Sequence, residues 1–145
     1  MAIPSGKKYI AWFTFYEDFD ALIIMELNKE KRISNVSIYK CMCTKNTYFC
    51  TIFYGTIVEQ NDHKTFIIED MHFDQGIHVS SRCVQERFYY THSFLQMFYT
   101  YNTKSPIMSF AAPQFWKIND FNIERDIKTV QYNVHHIQYR SCQQI

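Results

Sequence analysis

The sequence predicts an α+β fold, a mostly antiparallel sheet with one principal helix. Three observations predict it. Short β-branched and aromatic runs recur along the chain, separated by brief polar turns. Ser81–Tyr99 carries apolar residues at helical spacing, and is the one convincing amphipathic helix. No internal repeat, low-complexity tract or Pro/Ser-rich linker divides the chain, so residues 1–145 read as one domain.

Each element follows from its residues. Tyr9–Tyr16 (YIAWFTFY) is apolar and aromatic on both faces, which suits a buried strand. Glu17-Asp18-Phe19-Asp20 turns the chain, and Ala21–Leu27 (ALIIMEL) returns as a hairpin partner. Asn28–Arg32 is a charged loop. Asn35–Cys43 sets Val36, Ile38 and Lys40 against Ser37, Tyr39 and Cys41, the alternation of a half-exposed strand. Cys50–Val58 and Thr65–Asp70 form the clearest hairpin, joined by a polar loop of four to six residues containing Asn61-Asp62. Gly76 marks a turn. Ser80-Ser81 offers an N-cap to the helix, whose inner stripe is Val84, Phe88, Thr91, Phe94, Leu95 and Phe98. Asn102–Pro113 reads as a loop with two prolines, and Val130–Tyr139 as a further strand.

Composition narrows the class. Hydrophobic residues make up 47%, too many for a disordered chain. Net charge is +1, so charge alone argues for neither DNA nor a membrane surface. No apolar run approaches the ~18 residues of a membrane helix. The first residues lack the apolar stretch of a secretion signal, so an intracellular or virion location is expected. Five cysteines without such a signal read as reduced thiols. Cys41-x-Cys43 is tighter than zinc-ligand spacing, and neither half of a paired zinc motif is present, so no metal or other cofactor is expected. Residues with AT-rich codons (Phe, Tyr, Ile, Asn, Lys) total 59, against 16 for Gly, Ala, Pro and Arg. That bias fits an AT-rich genome such as that of a large DNA virus, a protist or a low-GC bacterium. There is no Gly-x-Ser-x-Gly elbow and no glycine-rich phosphate loop.

The central hairpin carries a resemblance. Thr51-Ile52-Phe53-Tyr54-Gly55-Thr56-Ile57-Val58, then Phe66-Ile67-Ile68-Glu69-Asp70-Met71, then Gly76, resembles the middle of the covalent nucleotidyltransferase fold of messenger-RNA capping guanylyltransferases and polynucleotide ligases. In that family acidic residues flank the central Gly, where this chain has Tyr54 and Thr56, and an upstream Lys-x-Asp-Gly supplies a nucleophile that this chain lacks. The segment Pro4-Ser5-Gly6-Lys7-Lys8 ahead of an apolar strand, and Ile67-Ile68-Glu69-Asp70-Met71, are similar to the non-catalytic snurportin-type cap-binding domains. The resemblance covers roughly residues 4–98. It implies a catalytically inactive module that binds an RNA cap, a guanine nucleotide or a partner of the RNA machinery. The cleft would lie between the sheet and a loop Met71–Gly76, which is one residue longer than in those domains.

The site residues implied are Lys7 and Lys8 toward phosphate, Phe73 stacking on the base in place of tryptophan, and Gln75 and Arg87 beside it. Stacking on a cationic base would contribute ~1–3 kcal/mol. Each has a plainer reading: Phe73 as core, the lysine pair as solvated surface. Glu69 and Asp70 are adjacent on a strand and so point apart, as do His135 and His136. Aromatic residues form 18% of the chain, a surplus that also suits an interface. The alternative is therefore a virion or assembly protein using the fold without ligand. Expected partners are capped RNA or guanine nucleotide and proteins of a viral complex, in host cytoplasm or virion, with no membrane and no DNA. A chain ending at Ile145 would be a reduced version of the fold or a piece of a longer protein.

Overall fold

The computed structural model describes residues 1–43, 48–102 and 108–142. Within them the architecture is α+β and the strand pairing mostly antiparallel, as the sequence predicts. The strands are β1 (Ala2–Pro4), β2 (Lys8–Tyr16), β3 (Phe19–Leu27), β4 (Ile33–Lys40), β5 (Thr51–Gln60), β6 (His63–Asp74), β7 (Ile77–His78), β8 (Ser109–Ala111) and β9 (Val134–Ile137). The long helix is α1 (Val84–Tyr101); a single turn, α2 (Ile123–Asp126), lies in the C-terminal segment. The main sheet runs β4-β3-β2-β5-β6-β7, with β8 beside β6 as its parallel neighbour. β1 and β9 pair as a separate antiparallel ribbon. No helix among the described residues is long and apolar enough to cross a membrane.

The hairpins are tighter than the residue pattern suggests. Tyr16 faces Phe19 directly, leaving a two-residue turn at Glu17-Asp18, with Glu17 at φ 54°. Gln60 faces His63, so the expected four- to six-residue loop is only Asn61-Asp62, at φ 51° and 60°. Both central residues are left-handed, the requirement of a turn that matches strand twist, and Asn and Asp tolerate it better than most residues. The Met71–Gly76 segment is not a loop. Strand β6 runs through Asp74, and Gln75-Gly76 (φ 51° and 84°) turn directly into β7.

Three further boundaries differ. Cys83, not Ser80 or Ser81, precedes the helix and gives no side-chain cap, and the helix runs on to Tyr101. Residues 109–111 of the expected loop form β8; residues 103–107 lie outside the described residues. The expected strand Val130–Tyr139 is only Val134–Ile137, because β1 offers a partner just three residues long.

One sheet face packs on α1. Phe13, Phe53, Phe66, Phe94, Phe98 and Phe110 are buried there with Tyr48, Met71 and Val79. Phe94 contacts the rings of Phe13, Tyr48, Phe53, Phe98 and Phe110, with the Phe53 centroid nearest at 4.5 Å. Such offset and edge-on pairs add to the area term. Gly55 is required where β5 meets β6: a Cβ there would stand 1.9 Å from the Ile67 carbonyl oxygen.

Candidate functional site

Between Tyr54 and Gly55 the β5–β6 register slips by one residue, so Glu69 is the extra residue of a β-bulge. The slip breaks the alternation that would send Glu69 and Asp70 to opposite faces. Each acid meets its own cation. Glu69 is buried and takes the Lys8 ammonium at 3.0 and 3.1 Å. The Thr56 hydroxyl donates to Glu69 at 2.7 Å and accepts from Lys8 at 2.6 Å; Lys8 also donates to the Pro4 carbonyl at 3.2 Å. Asp70 takes Arg87 Nη1 at 2.5 Å. Thr56 is thus the bridge of a largely buried ion pair.

Next to these pairs the outer edge of β6 is open among the described residues, between β8, whose last residue faces Ile67, and β7, whose last residue faces Phe73. The edge carbonyl of Glu69 accepts from Arg140 Nη1 at 2.8 Å, and that of His72 from the Val79 amide at 2.9 Å. A cavity of about 310 Å³ fills the notch. Its walls are Ile68 and Met71 of β6, Val84, Phe88 and Leu95 of α1, and Pro113 and Phe115 beyond β8; Glu69, Asp70, Arg87 and Arg140 stand among them. The Phe88 and Phe115 rings stack at 5.1 Å. A second groove continues past Phe88, Phe115 and Arg140 toward Trp116 and Tyr139.

The electrostatics are unbalanced. Three cations, Lys8, Arg87 and Arg140, face two carboxylates, Glu69 and Asp70. Arg140 has no carboxylate in ion-pair reach among the described residues; its Nε is held by Gln138 at 2.6 Å. Burial pushes the Arg140 guanidinium pKa down, Asp70 opposes this, and nearby Arg87 adds to it. Arg87 Nε is buried with no hydrogen-bond partner among the described residues. An unsatisfied buried donor of this kind costs about 1–3 kcal/mol. Among the described residues the site therefore holds one more cation than carboxylate and one buried donor without an acceptor.

The residues expected to bind a nucleotide separate into two groups. Lys8 and Arg87 enter this one network through the adjacent acids. Lys7 is exposed and paired to Glu26 at 2.7 Å. Gln75 is the exposed first residue of its turn, its amide on the Thr51 hydroxyl at 3.2 Å. Phe73 is half-buried and packs on His78 at 5.0 Å. Phe73 also closes a cross-strand row on the face away from α1, Ile38–Ile23–Trp12–Ile52–Phe73. A parallel row runs Val36–Met25–Ile10–Tyr54–Asp70.

Arg140 is the functional candidate that residue-level reading misses as a named position. The expected strand Val130–Tyr139, which stops one residue short of it, is its nearest sign. His135 and His136 do not point apart: their Nδ1 atoms lie 2.8 Å from each other on the exposed ribbon. No group of three or more potential metal ligands occurs among the described residues. The five cysteines are free, and a hydrogen bond between the Cys41 and Cys43 thiols pushes the Cys41 thiol pKa up. No family model, curated protein or solved structure matches the chain.

Proposed function

We propose that the chain is a non-catalytic binding module. Its cavity beside β6 takes a ligand with a planar or apolar body and one anionic group, the class to which guanine nucleotides and capped RNA ends belong. The observation that carries this reading is the charge and hydrogen-bond imbalance at the cavity wall: among the described residues, Arg87 Nε has no acceptor and Arg140 no carboxylate in ion-pair reach, beside stacked aromatic rings. A phosphate or carboxylate would supply the missing acceptors, since guanidinium groups bind such oxyanions through charge-assisted hydrogen bonds. Phe88 and Phe115 would receive the body of the ligand. The capping-enzyme-like resemblance of the central hairpin supports the nucleotide class. The engagement of Lys8 by Glu69 and Thr56, and the absence of carboxylates at Tyr54 and Thr56, support binding without nucleotidyl transfer.

The test is a calorimetric titration with GMP, GTP and methylated cap analogues, with intact mass read afterwards. Saturable binding without added mass is expected. Arg140→Gln should weaken it about tenfold, the equivalent of ~1.4 kcal/mol, and Phe73→Ala should leave it unchanged. Loss of binding on Phe73→Ala with Arg140→Gln neutral would move the site to the sheet face. No binding of any of these ligands by folded protein would sink the nucleotide reading.

A further inference from the structure

The opposite edge of the main sheet carries an inference that does not depend on what the cavity binds. Strand β4 pairs only with β3, so its outer edge is open among the described residues. It holds no Pro or Gly, and its only charge is Lys40 at its end. One bulge, at its start between Glu26 and Leu27 of β3, is its sole irregularity. Val36 and Ile38 are 50% and 40% exposed. A long, uncharged edge with exposed apolar side chains is the kind of strand that natural proteins cover or pair.

The charges at its two ends name the occupant. The β3–β4 turn carries Lys29, Glu30, Lys31 and Arg32, all exposed, with a net positive charge. At the other end stands the β2–β3 turn, with exposed Glu17 and Asp18. An antiparallel pair related by a two-fold axis brings the basic end of one copy to the acidic end of the other. The register can be specified further. With the axis at Ser37, Val36 of one copy lies opposite Ile38 of the other, Asn35 opposite Tyr39, and Ser37 opposite Ser37. Apolar side chains then meet apolar side chains on one face. Because Ala21 lies opposite Lys40, the Glu17–Asp18 turn stands two or three residues past Lys40. The same axis carries Lys31 and Arg32 of the other copy to that level. The separation is roughly two strand spacings, about 10 Å, which long basic side chains span. The apolar rows on the face away from α1 would become continuous across both copies.

We infer that the protein forms a symmetric dimer through antiparallel pairing of β4 with β4 of a second copy, centred on Ser37. Sedimentation equilibrium across micromolar concentrations should give the dimer mass. Val36→Lys, at a half-exposed position, should shift the association constant by about tenfold or more toward monomer while leaving the circular dichroism spectrum unchanged. Asp18→Lys and Lys31→Glu should each weaken the dimer, and the double variant should recover it, which a mere loss of folding would not do. Ser37→Cys should give a covalent dimer on mild oxidation beyond any background from the natural thiols, because Cα atoms about 4.5 Å apart suit a disulfide. A monomer at all concentrations overturns the inference. So does a dimer indifferent to Val36→Lys, or one that the charge-swapped pair fails to restore.

Discussion

At the scale of the residue, the decisive feature is that Glu69 and Asp70 are adjacent and yet both are ion-paired. Lys8 and Arg87 are legible in the sequence as cations; what they meet is not. Strand alternation would part the two acids, and only the bulge at Glu69, a consequence of β5–β6 register, lets both find cations near one sheet edge. Breaking one side of the buried pair has a definite cost. Lys8→Met should lower unfolding free energy by about 2–3 kcal/mol, somewhat below the usual range for a buried pair, because Lys8 keeps some solvent contact. Lys8→Met with Glu69→Leu should recover most of that loss, since no uncompensated charge then remains. Urea unfolding of the two variants checks both, and equal losses would mean that packing, not charge, dominates there. Asp74 gives a pH prediction. Burial raises its carboxyl pKa above the ordinary value. The native state therefore holds that proton more tightly than the unfolded chain. Its stabilising contribution is complete below the unfolded pKa and is lost as pH rises through the folded value. Asp74→Asn should accordingly raise the urea midpoint at neutral pH and leave it nearly unchanged in acid. A gain confined to acid pH would contradict the assignment.

At the scale of the element, β2 through β6 and α1 are legible because their information is local. Alternation marks β4, the Asn61-Asp62 pair marks the β5–β6 turn, and the three- and four-residue spacing from Val84 to Phe98 marks α1. What is not legible depends on distant partners. β1 and β9 are three and four residues long and lie more than a hundred positions apart, and β8 finds β6 across more than forty. Runs that short carry no period of their own, so only tertiary pairing makes them strands. The ends of α1 are obscure for another reason. Its start lacks a side-chain cap, so Ser80-Ser81 draws attention to the wrong position, while at its other end Asn102 bonds the Phe98 carbonyl at 2.8 Å. The β5–β6 turn offers the element-scale test. Asp62 sits at φ 60°, where a side chain is disfavoured and Gly is not. Asp62→Gly should therefore stabilise the protein by about 0.5–1 kcal/mol, seen as a higher urea midpoint with unchanged slope. Destabilisation instead would show that the Asp62 side chain contributes to the turn beyond its backbone.

At the scale of the whole molecule, the sheet's two faces and two edges have different work. The face under α1 is dry and aromatic, and takes up much of the aromatic surplus that the composition also assigns to an interface. The other face keeps two partly exposed apolar rows that end at β4. The cavity lies at the β6 edge and exists only because α1 holds Arg87 and Phe88 against that edge. Its integrity therefore depends on the aromatic core about two turns along the helix, centred on Phe94. Removing that ring deletes contacts with five others and leaves a void that a sheet of fixed register cannot close. Phe94→Ala should cost about 3–5 kcal/mol, a large share of the ~5–15 kcal/mol that a domain has in total. Because the helix is then held less firmly along its length, any ligand that uses Arg87 or Arg140 should bind more weakly to the Phe94→Ala protein, although Phe94 does not line the cavity. Arg140→Gln separates the two effects, since it keeps both the core and the Arg87–Asp70 ion pair and changes only the wall. Thermal melts and titrations on both variants decide the matter: the ring should govern melting and affinity together, the guanidinium mainly affinity. Full affinity in a Phe94→Ala protein with a lowered melting point would show that the cavity is held by the C-terminal segment and not by the helix.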